Sequence, residues 1–171
     1  MLNGSVSLRS QPGRGTTVRI KLPLTLAILD GLSLQVGSET YILPLVSIVE
    51  SIRPGRAQLN TVAGLGEVIL VRGEALPLMR LHRLFGVPTE VLDPCRGLTV
   101  VVEHGGHRLA LLVDELLGQQ QVVIKSLEAN YHKIEGVLGA TILGNGRAAL
   151  ILDIAGLAQI ARRAWPAELV A

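Results

Sequence analysis

The chain has 171 residues, 49% hydrophobic and 18% charged, which is enough apolar sequence for a packed core and argues against disorder. The net charge is +2, the 13 arginines are scattered rather than gathered in a stripe, and four residues are aromatic. Nucleic-acid binding is therefore not expected, because it needs a basic stripe or a row of stacking aromatics.

Cysteine usage and hydropathy indicate the compartment. Cys95 is the single cysteine, so no disulfide framework and no thiol metal site are expected. No signal peptide is visible, and the longest apolar stretch, residues 22–29, is much shorter than the roughly 20 residues that span a bilayer. The sequence predicts a soluble, cytoplasmic protein without direct membrane insertion.

The first predicted element is a β-hairpin. Residues 5–9 and 17–21 alternate in hydrophobicity on either side of a turn that contains Gly13 and Gly15. Two strands alone are marginally stable in water, so we expect the hairpin to be the end of a sheet that this chain otherwise lacks. Pro23 ends the second strand, which predicts a domain boundary near residue 22.

Four further hairpins are predicted, and they form an internal repeat. Residues 32–36 with 41–46 resemble residues 98–102 with 109–113, and residues 68–71 with 75–79 resemble residues 141–143 with 148–152. Asn145 and Gly146 are the strongest turn signal in the chain. A short helix is predicted after the second hairpin of each half, over 78–85 and over 154–164, the latter with Asp153 as N-cap.

Two hairpins and a helix in each half predict a mainly β fold of two small β-barrels side by side, which leave few open strand edges. From the repeat, the barrels are expected to cover roughly residues 23–90 and 97–164. Residues 165–171 are predicted to be a tail.

Several segments closely resemble the CheA family of chemotaxis histidine kinases. They are residues 4–10 (GSVSLRS), 13–17 (GRGTT), 22–28 (LPLTLAI), 71–78 (VRGEALPL), 84–88 (LFGVP), 112–118 (LVDELLG), 122–127 (VVIKSL) and 136–146 (GVLGATILGNG). The resemblance implies that residues 1–22 are the C-terminal hairpin of an ATP-binding domain, with Gly13, Gly15, Thr16 and Thr17 as its remnant. It implies that residues 23–164 are a CheW-like regulatory domain of two five-stranded SH3-like barrels.

The search for catalytic chemistry predicts no enzyme activity for this chain on its own. The glycine turn lacks the lysine and helix of a phosphate-binding loop, and the resemblance places the ATP-binding and phosphoacceptor residues in parts that are absent here. His104 and His107 are expected at a solvated turn rather than on a metal. Asp114 and Glu115 point to opposite faces of a strand, so they are not expected to act as paired carboxylates. No cofactor and no metal are predicted.

The remaining role is binding to other proteins. Arg72 and Glu74 are expected at a solvent-facing turn, and the segments between the repeated hairpins supply apolar groups with a basic rim, a normal interface pattern. The candidate partner-binding residues are Ile52, Arg53, Leu59, Val62, Leu65, Val122, Val123, Ile134 and Val137.

The resemblance implies the partners: the adaptor CheW, the cytoplasmic tips of chemoreceptors, and the other CheA domains of a full-length kinase. The expected function is a regulatory module that couples the kinase to receptors in membrane-associated arrays. The main alternative is a free-standing CheW-type adaptor, which would have no reason to carry the N-terminal hairpin. A kinase fragment and a nucleic-acid-binding barrel are the weaker alternatives.

Overall fold

The computed structural model describes residues 5–11, 13, 15–21, 28–62, 66–125 and 134–165, and these residues are mainly β. Three short 3-10 turns cover Leu45–Ser47, Arg56–Gln58 and Pro94–Arg96. The strands and helices are β1 (Ser5–Gln11), β2 (Gly15–Lys21), β3 (Ile28–Val36), β4 (Glu39–Pro44), β5 (Ile48–Ile52), β6 (Leu59–Val62), β7 (Gly66–Val71), β8 (Glu74–Arg80), α1 (Leu81–Leu84), β9 (Leu98–His104), β10 (His107–Val113), β11 (Glu115–Val123), β12 (Val137–Ile142), β13 (Ala148–Leu152) and α2 (Ile154–Ala164).

The N-terminal hairpin is a two-stranded antiparallel sheet of β1 and β2, as predicted. Gly13 and Gly15 have φ of 75° and 94°, which glycine adopts without the steric cost of a side chain, so the turn requires them. Leu8 lies opposite Val18, and both side chains are exposed. The apolar pair on this hairpin is therefore not covered by the described residues.

The other described strands form two sheets. One has six strands in the order β5-β9-β10-β8-β7-β6, and the other has five in the order β11-β3-β4-β13-β12. The four predicted hairpins, β3–β4, β7–β8, β9–β10 and β12–β13, are all present as antiparallel pairs. Local alternation and turn residues thus identified the strands that pair with their sequence neighbours.

The two sheets do not divide the chain where the internal repeat predicts. The five-stranded sheet joins β3 and β4 to β11, β12 and β13, and the six-stranded sheet joins β5 to β8 with β9 and β10. Two parallel pairings, β4 with β13 and β8 with β10, connect strands from different halves. Residues 23–90 and 97–164 therefore contribute to both sheets, because long-range pairing decides the strand order within a sheet and hairpin turns do not.

The outer strands of the five-stranded sheet meet at one point. Lys125, two residues after β11, forms a β-bridge with Ala140 of β12 through N···O hydrogen bonds of 2.8 and 3.0 Å. The mainly β fold is confirmed, and the two sheets are consistent with SH3-like barrels. The six-stranded sheet departs from the five strands expected in each.

The largest hydrophobic cluster packs the two sheets together. It combines Leu34 and Tyr41 of the five-stranded sheet, Val102 and Leu111 of the six-stranded sheet, and Leu157 of α2, all of them at most 2% exposed. Two smaller clusters lie within the individual sheets. Since the main core belongs to both sheets at once, the sheets depend on each other for burial of their apolar faces.

Tyr41 connects this core to α1. Its ring stacks on Phe85, the residue after α1, with centroids 5.1 Å apart and planes at 17°. Burial, and to a smaller extent the charge of Glu39, raises the pKa of Tyr41 to about 12. The phenol therefore stays neutral and acts as a large packing group.

The sequence predicts the bounds of α2 well and those of α1 poorly. The helix α2 has the bounds that the apolar stripe predicts, and Asp153 is at its N-cap position, although its side chain forms no capping hydrogen bond. The predicted helix over 78–85 is only Leu81–Leu84, because Leu78, Met79 and Arg80 continue the buried strand β8. Helical spacing of apolar residues could not distinguish a short helix from the end of a strand.

Trp165 is part of the folded structure and not of the predicted tail. It is half-buried and packs against the main core, so the folded part extends one residue beyond the expected boundary. Residues 166–171 lie outside the described residues.

Candidate docking surface

Two hairpin turns and the beginning of β5 lie at one end of the six-stranded sheet. The register places the beginning of β5 beside the end of β9, with Ile48 opposite Val102. Because β8 and β10 run parallel, the β7–β8 turn lies at the same end as the β9–β10 turn. We call this region, with the 3-10 turn before β5, the turn end of the sheet.

Exposed apolar side chains occur at the turn end. Val46, in the 3-10 turn before β5, is 92% exposed, and Val49 and Leu70 are each 42% exposed. β5 is an outer strand of the sheet, and its ladder with β9 shifts register between Ile48 and Glu50, which leaves Val49 outside the regular pairing. An outer strand with one exposed valine, preceded by a turn with another, is a surface on which another protein can dock.

Ion pairs lie at the same end of the sheet as these exposed side chains. Glu50 of β5 pairs with Arg72 of the β7–β8 turn at 3.0 Å, and Arg108 of β10 contacts Glu103 at 3.0 Å and Glu74 at 3.2 Å. The bonds to Glu103 and Glu74 raise the pKa of the Arg108 guanidinium, which stays charged. Exposed ion pairs add little stability, but they orient the charged side chains that a partner would contact.

The β7–β8 turn has the solvent-facing geometry that the sequence predicts. Arg72 has φ of 52° and is followed by Gly73 at φ of 86°, as a tight two-residue turn between antiparallel strands requires. Arg72 and Glu74 are both exposed. Their pairing with Glu50 and Arg108 was not foreseen, since those partners are distant in sequence.

The partner-binding residues predicted in the first half have mixed exposure. Arg53 is exposed, whereas Ile52, Leu59 and Val62 are half-buried, and Leu65 lies outside the described residues. Ile52 and Leu59 pack against the core of the six-stranded sheet. Ile52, the last residue of β5, lies opposite Thr99 at the far end of the sheet from Val46. Leu59 begins β6 opposite Ile69, so it lies beside Leu70 at the turn end, with its side chain half-buried.

The residues predicted in the second half belong to the other sheet or its flanks. Val122 and Val137 are 5% and 8% exposed, so their side chains are part of the interior and offer no surface to a partner. Val123 is half-buried and Ile134 is exposed. The predicted set is therefore divided between two sheets and does not form one continuous surface.

The residues considered for catalysis or metal binding lie at turns: Gly13 and Gly15 on the N-terminal hairpin, and His104 and His107 opposite each other at the β9–β10 turn. Gly13 and Gly15 form the first turn, and Thr16 and Thr17 are exposed on β2, with a 3.0 Å contact between the hydroxyls of Thr16 and Ser10.

Within the ranges that the structure describes, no three His, Cys, Asp or Glu side chains are grouped as a metal site. Neither α1 nor α2, the helices of those same ranges, is long and apolar enough to cross a membrane.

A buried arginine at the opposite end of the six-stranded sheet was not predicted from the sequence. The side chain of Arg80 at the end of β8 is 8% exposed, and its Nε and one terminal nitrogen donate to the Glu67 carboxylate. The other terminal nitrogen donates to the Leu92 carbonyl. The bond from Arg80 lowers the pKa of Glu67, and the Arg83 guanidinium, 3.8 Å away, acts in the same direction.

The fold and most of the sequence have known counterparts. The model of the family described as CheW-like domain matches residues 30–162. The chemotaxis protein CheA of Klebsiella aerogenes is 47% identical over 161 residues, which cover 94% of this chain and 25% of that protein. CheA of Salmonella typhimurium is 48% identical over 161 residues, covering 94% of this chain and 24% of that protein.

A solved structure has the same fold. The scaffolding protein TtCheW of Thermoanaerobacter tengcongensis superposes with a TM-score of 0.60 and 15% identity, over 73% of this chain and 88% of that chain. The resemblance inferred from the sequence is confirmed, and the chain spans about a quarter of the length of the two CheA proteins.

Proposed function

The chain belongs to the family of CheW-like domains, and we infer that it is a coupling module of chemotaxis signalling that works through protein–protein contacts alone. The finer proposal is that it docks an adaptor of the CheW type and the cytoplasmic tips of chemoreceptors. In a longer kinase it would pass the resulting signal to the other CheA domains. We place its action in the cytoplasm, at receptor arrays reached through these partners.

The turn end of the six-stranded sheet carries this proposal. Val46 is the most exposed large hydrophobic residue among those described, and ion-paired arginines lie at the same end of the sheet. Apolar anchors within a rim that contains arginine are typical of protein interfaces. We propose that a CheW-type adaptor contacts Val46 and Val49 and accepts hydrogen bonds from the Arg72 guanidinium.

Absence of catalysis is part of the same proposal. The CheA relatives are about four times as long as this chain, and the matched portion is the regulatory region. Gly13, Gly15, Thr16 and Thr17, which we interpret as the remnant of an ATP-binding domain, lie on an exposed hairpin. We expect no ATP turnover by this chain, which an ATPase assay at high protein concentration would check.

A free-standing CheW-type adaptor remains the second candidate. The match to 88% of the TtCheW chain favours it, because an adaptor of that fold needs little more than the two sheets. The first candidate is favoured by 47–48% identity to CheA proteins that extends over 94% of the chain.

The test is a calorimetric titration of the chain with the CheW-type adaptor of the same organism. Val46→Asp should weaken binding about tenfold or more, since a charge would replace an apolar contact at an interface. Val18→Asp is the matched control: Val18 is an exposed valine on the N-terminal hairpin and should leave binding unchanged. Lack of binding at about 100 μM adaptor, an affinity too weak for a specific complex, would refute docking itself. Equal weakening by both variants would refute the assigned surface.

A further inference from the structure

The chain passes from the six-stranded to the five-stranded sheet through a single residue. β10 ends at Val113 and β11 begins at Glu115, so Asp114 alone forms the crossover. Its backbone N–H donates to the Gln35 carbonyl of β3 at 2.9 Å. The crossover is therefore already attached to the five-stranded sheet before β11 begins.

The Asp114 carboxylate connects two more segments. Its Oδ2 accepts a 2.7 Å hydrogen bond from the backbone N–H of Gly37, in the β3–β4 turn. The same oxygen accepts a 2.6 Å bond from the hydroxyl of Thr89, in the segment that follows α1. The Thr89 oxygen in turn accepts the backbone N–H of Val91 at 3.0 Å. One half-buried carboxylate thus holds a turn of one sheet against a loop that leaves the other.

The fit between these segments is close. Gly37 has φ of 58°, and a Cβ at this position would lie 2.1 Å from the Pro88 carbonyl oxygen, which real atoms do not approach. The turn and the loop nevertheless border an open cleft of ≈540 Å³ whose lining includes Ser38 and Glu90. Val87 packs against the main core beside Gly37, whereas Pro88 to Val91 line the open cleft.

We propose that Asp114 is a positioning residue that latches the two sheets at this end. The main hydrophobic core packs the middle of the sheets, whereas the β3–β4 turn and residues 88–91 are held by the hydrogen bonds to Asp114. Hydrogen bonds to a charged acceptor are stronger than neutral ones, so the latch keeps the cleft at a fixed width. Its consequence for docking rests on the proposed function: force applied by a partner to one sheet reaches the other through this contact.

The test measures the cleft directly. Spin labels at Ser38→Cys and Glu90→Cys, in a Cys95→Ser background, lie on opposite sides of the cleft and should give one narrow distance distribution. Asp114→Leu should add a population at longer distance and speed exchange of the Val91 amide about tenfold. Asp114→Asn, which keeps a carbonyl oxygen for Gly37 and Thr89, should retain the narrow distribution.

Two controls make the result specific. Thr89→Val removes one bond to the carboxylate in a side chain of the same shape, and it should widen the distribution even if Asp114→Leu fails to fold. Asp93 also accepts a backbone N–H, that of Cys95 at 3.0 Å, within a single turn, and its other oxygen pairs with the exposed Arg56 away from the cleft, so Asp93→Leu should leave the cleft unchanged. An unchanged distribution in Thr89→Val, or equal widening in Asp93→Leu, would overturn the latch. The distance measurement is made on the chain without an adaptor. A failed adaptor titration would therefore refute the proposed docking but not the Asp114 latch.

Discussion

At the scale of single residues, the most informative side chains are charged groups whose partners lie far along the chain. Arg80 binds Glu67 and the Leu92 carbonyl, and Asp114 binds Gly37 and Thr89. Neither set of contacts can be predicted from local sequence, because the residues around Arg80 and Asp114 do not indicate which distant loop packs against them. The arginine after the apolar residues 76–79 was the one available signal of a buried charge.

Arg80 should be worth more to stability than an exposed arginine. Arg80→Leu would leave the Glu67 carboxylate without its main partner, and the free energy of unfolding should fall by about 2 kcal/mol, less than for a fully buried pair. Urea denaturation of the full chain measures the change. Arg56→Leu is the control, since Arg56 pairs with Asp93 while 87% exposed, and it should not alter the transition midpoint. An equal loss in both variants would contradict a special role for Arg80.

The same pair predicts an acid dependence of stability. The bond from Arg80 holds the pKa of Glu67 below its ordinary value of 4.5 in the folded chain. The contribution of this ion pair to the free energy of unfolding is therefore complete above pH 4.5. It is lost as the pH falls through the lower pKa that Glu67 has in the folded chain. Unfolding free energies of the wild type and Glu67→Gln, measured from neutral to acid pH, should converge as the pH falls. Parallel curves would show that Glu67 does not contribute in this way.

At the scale of elements, the sequence predicts best where structure is local. The hairpin turns and the bounds of α2 were predicted because turn residues and an apolar stripe act over a few positions. β5, β6 and β11 were not predicted as strands. β11 contains Gly118, a register shift and three consecutive glutamines, so it lacks the alternation of a half-buried strand.

The N-terminal hairpin and α2 should differ sharply in their contribution to stability. The described side chains of residues 7–11 and 15–19 are exposed, so removing residues 1–21 should change the free energy of unfolding by less than about 1 kcal/mol. Removing residues 154–165 would delete Leu157 and Ala161 from the main core and should prevent folding. Circular dichroism with urea titration separates the two outcomes. A large loss on removing the hairpin would show that it packs on the rest of the chain.

At the scale of the whole molecule, the two sheets form one unit because they share strands from both halves and a common core. The internal repeat correctly indicated paired hairpins, yet the parallel pairings β4–β13 and β8–β10 could not be read from periodicity. The candidate site was predicted less well than the fold. Exposure of Val46 and burial of Val122 both depend on tertiary packing, while the two residues look alike in sequence.

Neither half of the chain should fold alone. Fragments 1–92 and 93–171 each contain strands of both sheets but complete neither, so each should lack a cooperative unfolding transition. Mixed in equal amounts, they should recover the β signal of the intact chain. Circular dichroism and amide exchange of the single and mixed fragments provide the measurement. A folded fragment 1–92 would instead support one barrel in each half.

The pairing of β4 with β13 also constrains how the protein is made. Tyr41 lies beside Leu150, and about a hundred residues of chain separate them. During synthesis, β4 leaves the ribosome long before its neighbour exists, so one edge of a central strand stays open while most of the chain emerges. Long-range pairing of this kind slows folding and exposes unpaired apolar strands in the meantime. We therefore expect productive folding of the five-stranded sheet to wait until β13 has been translated.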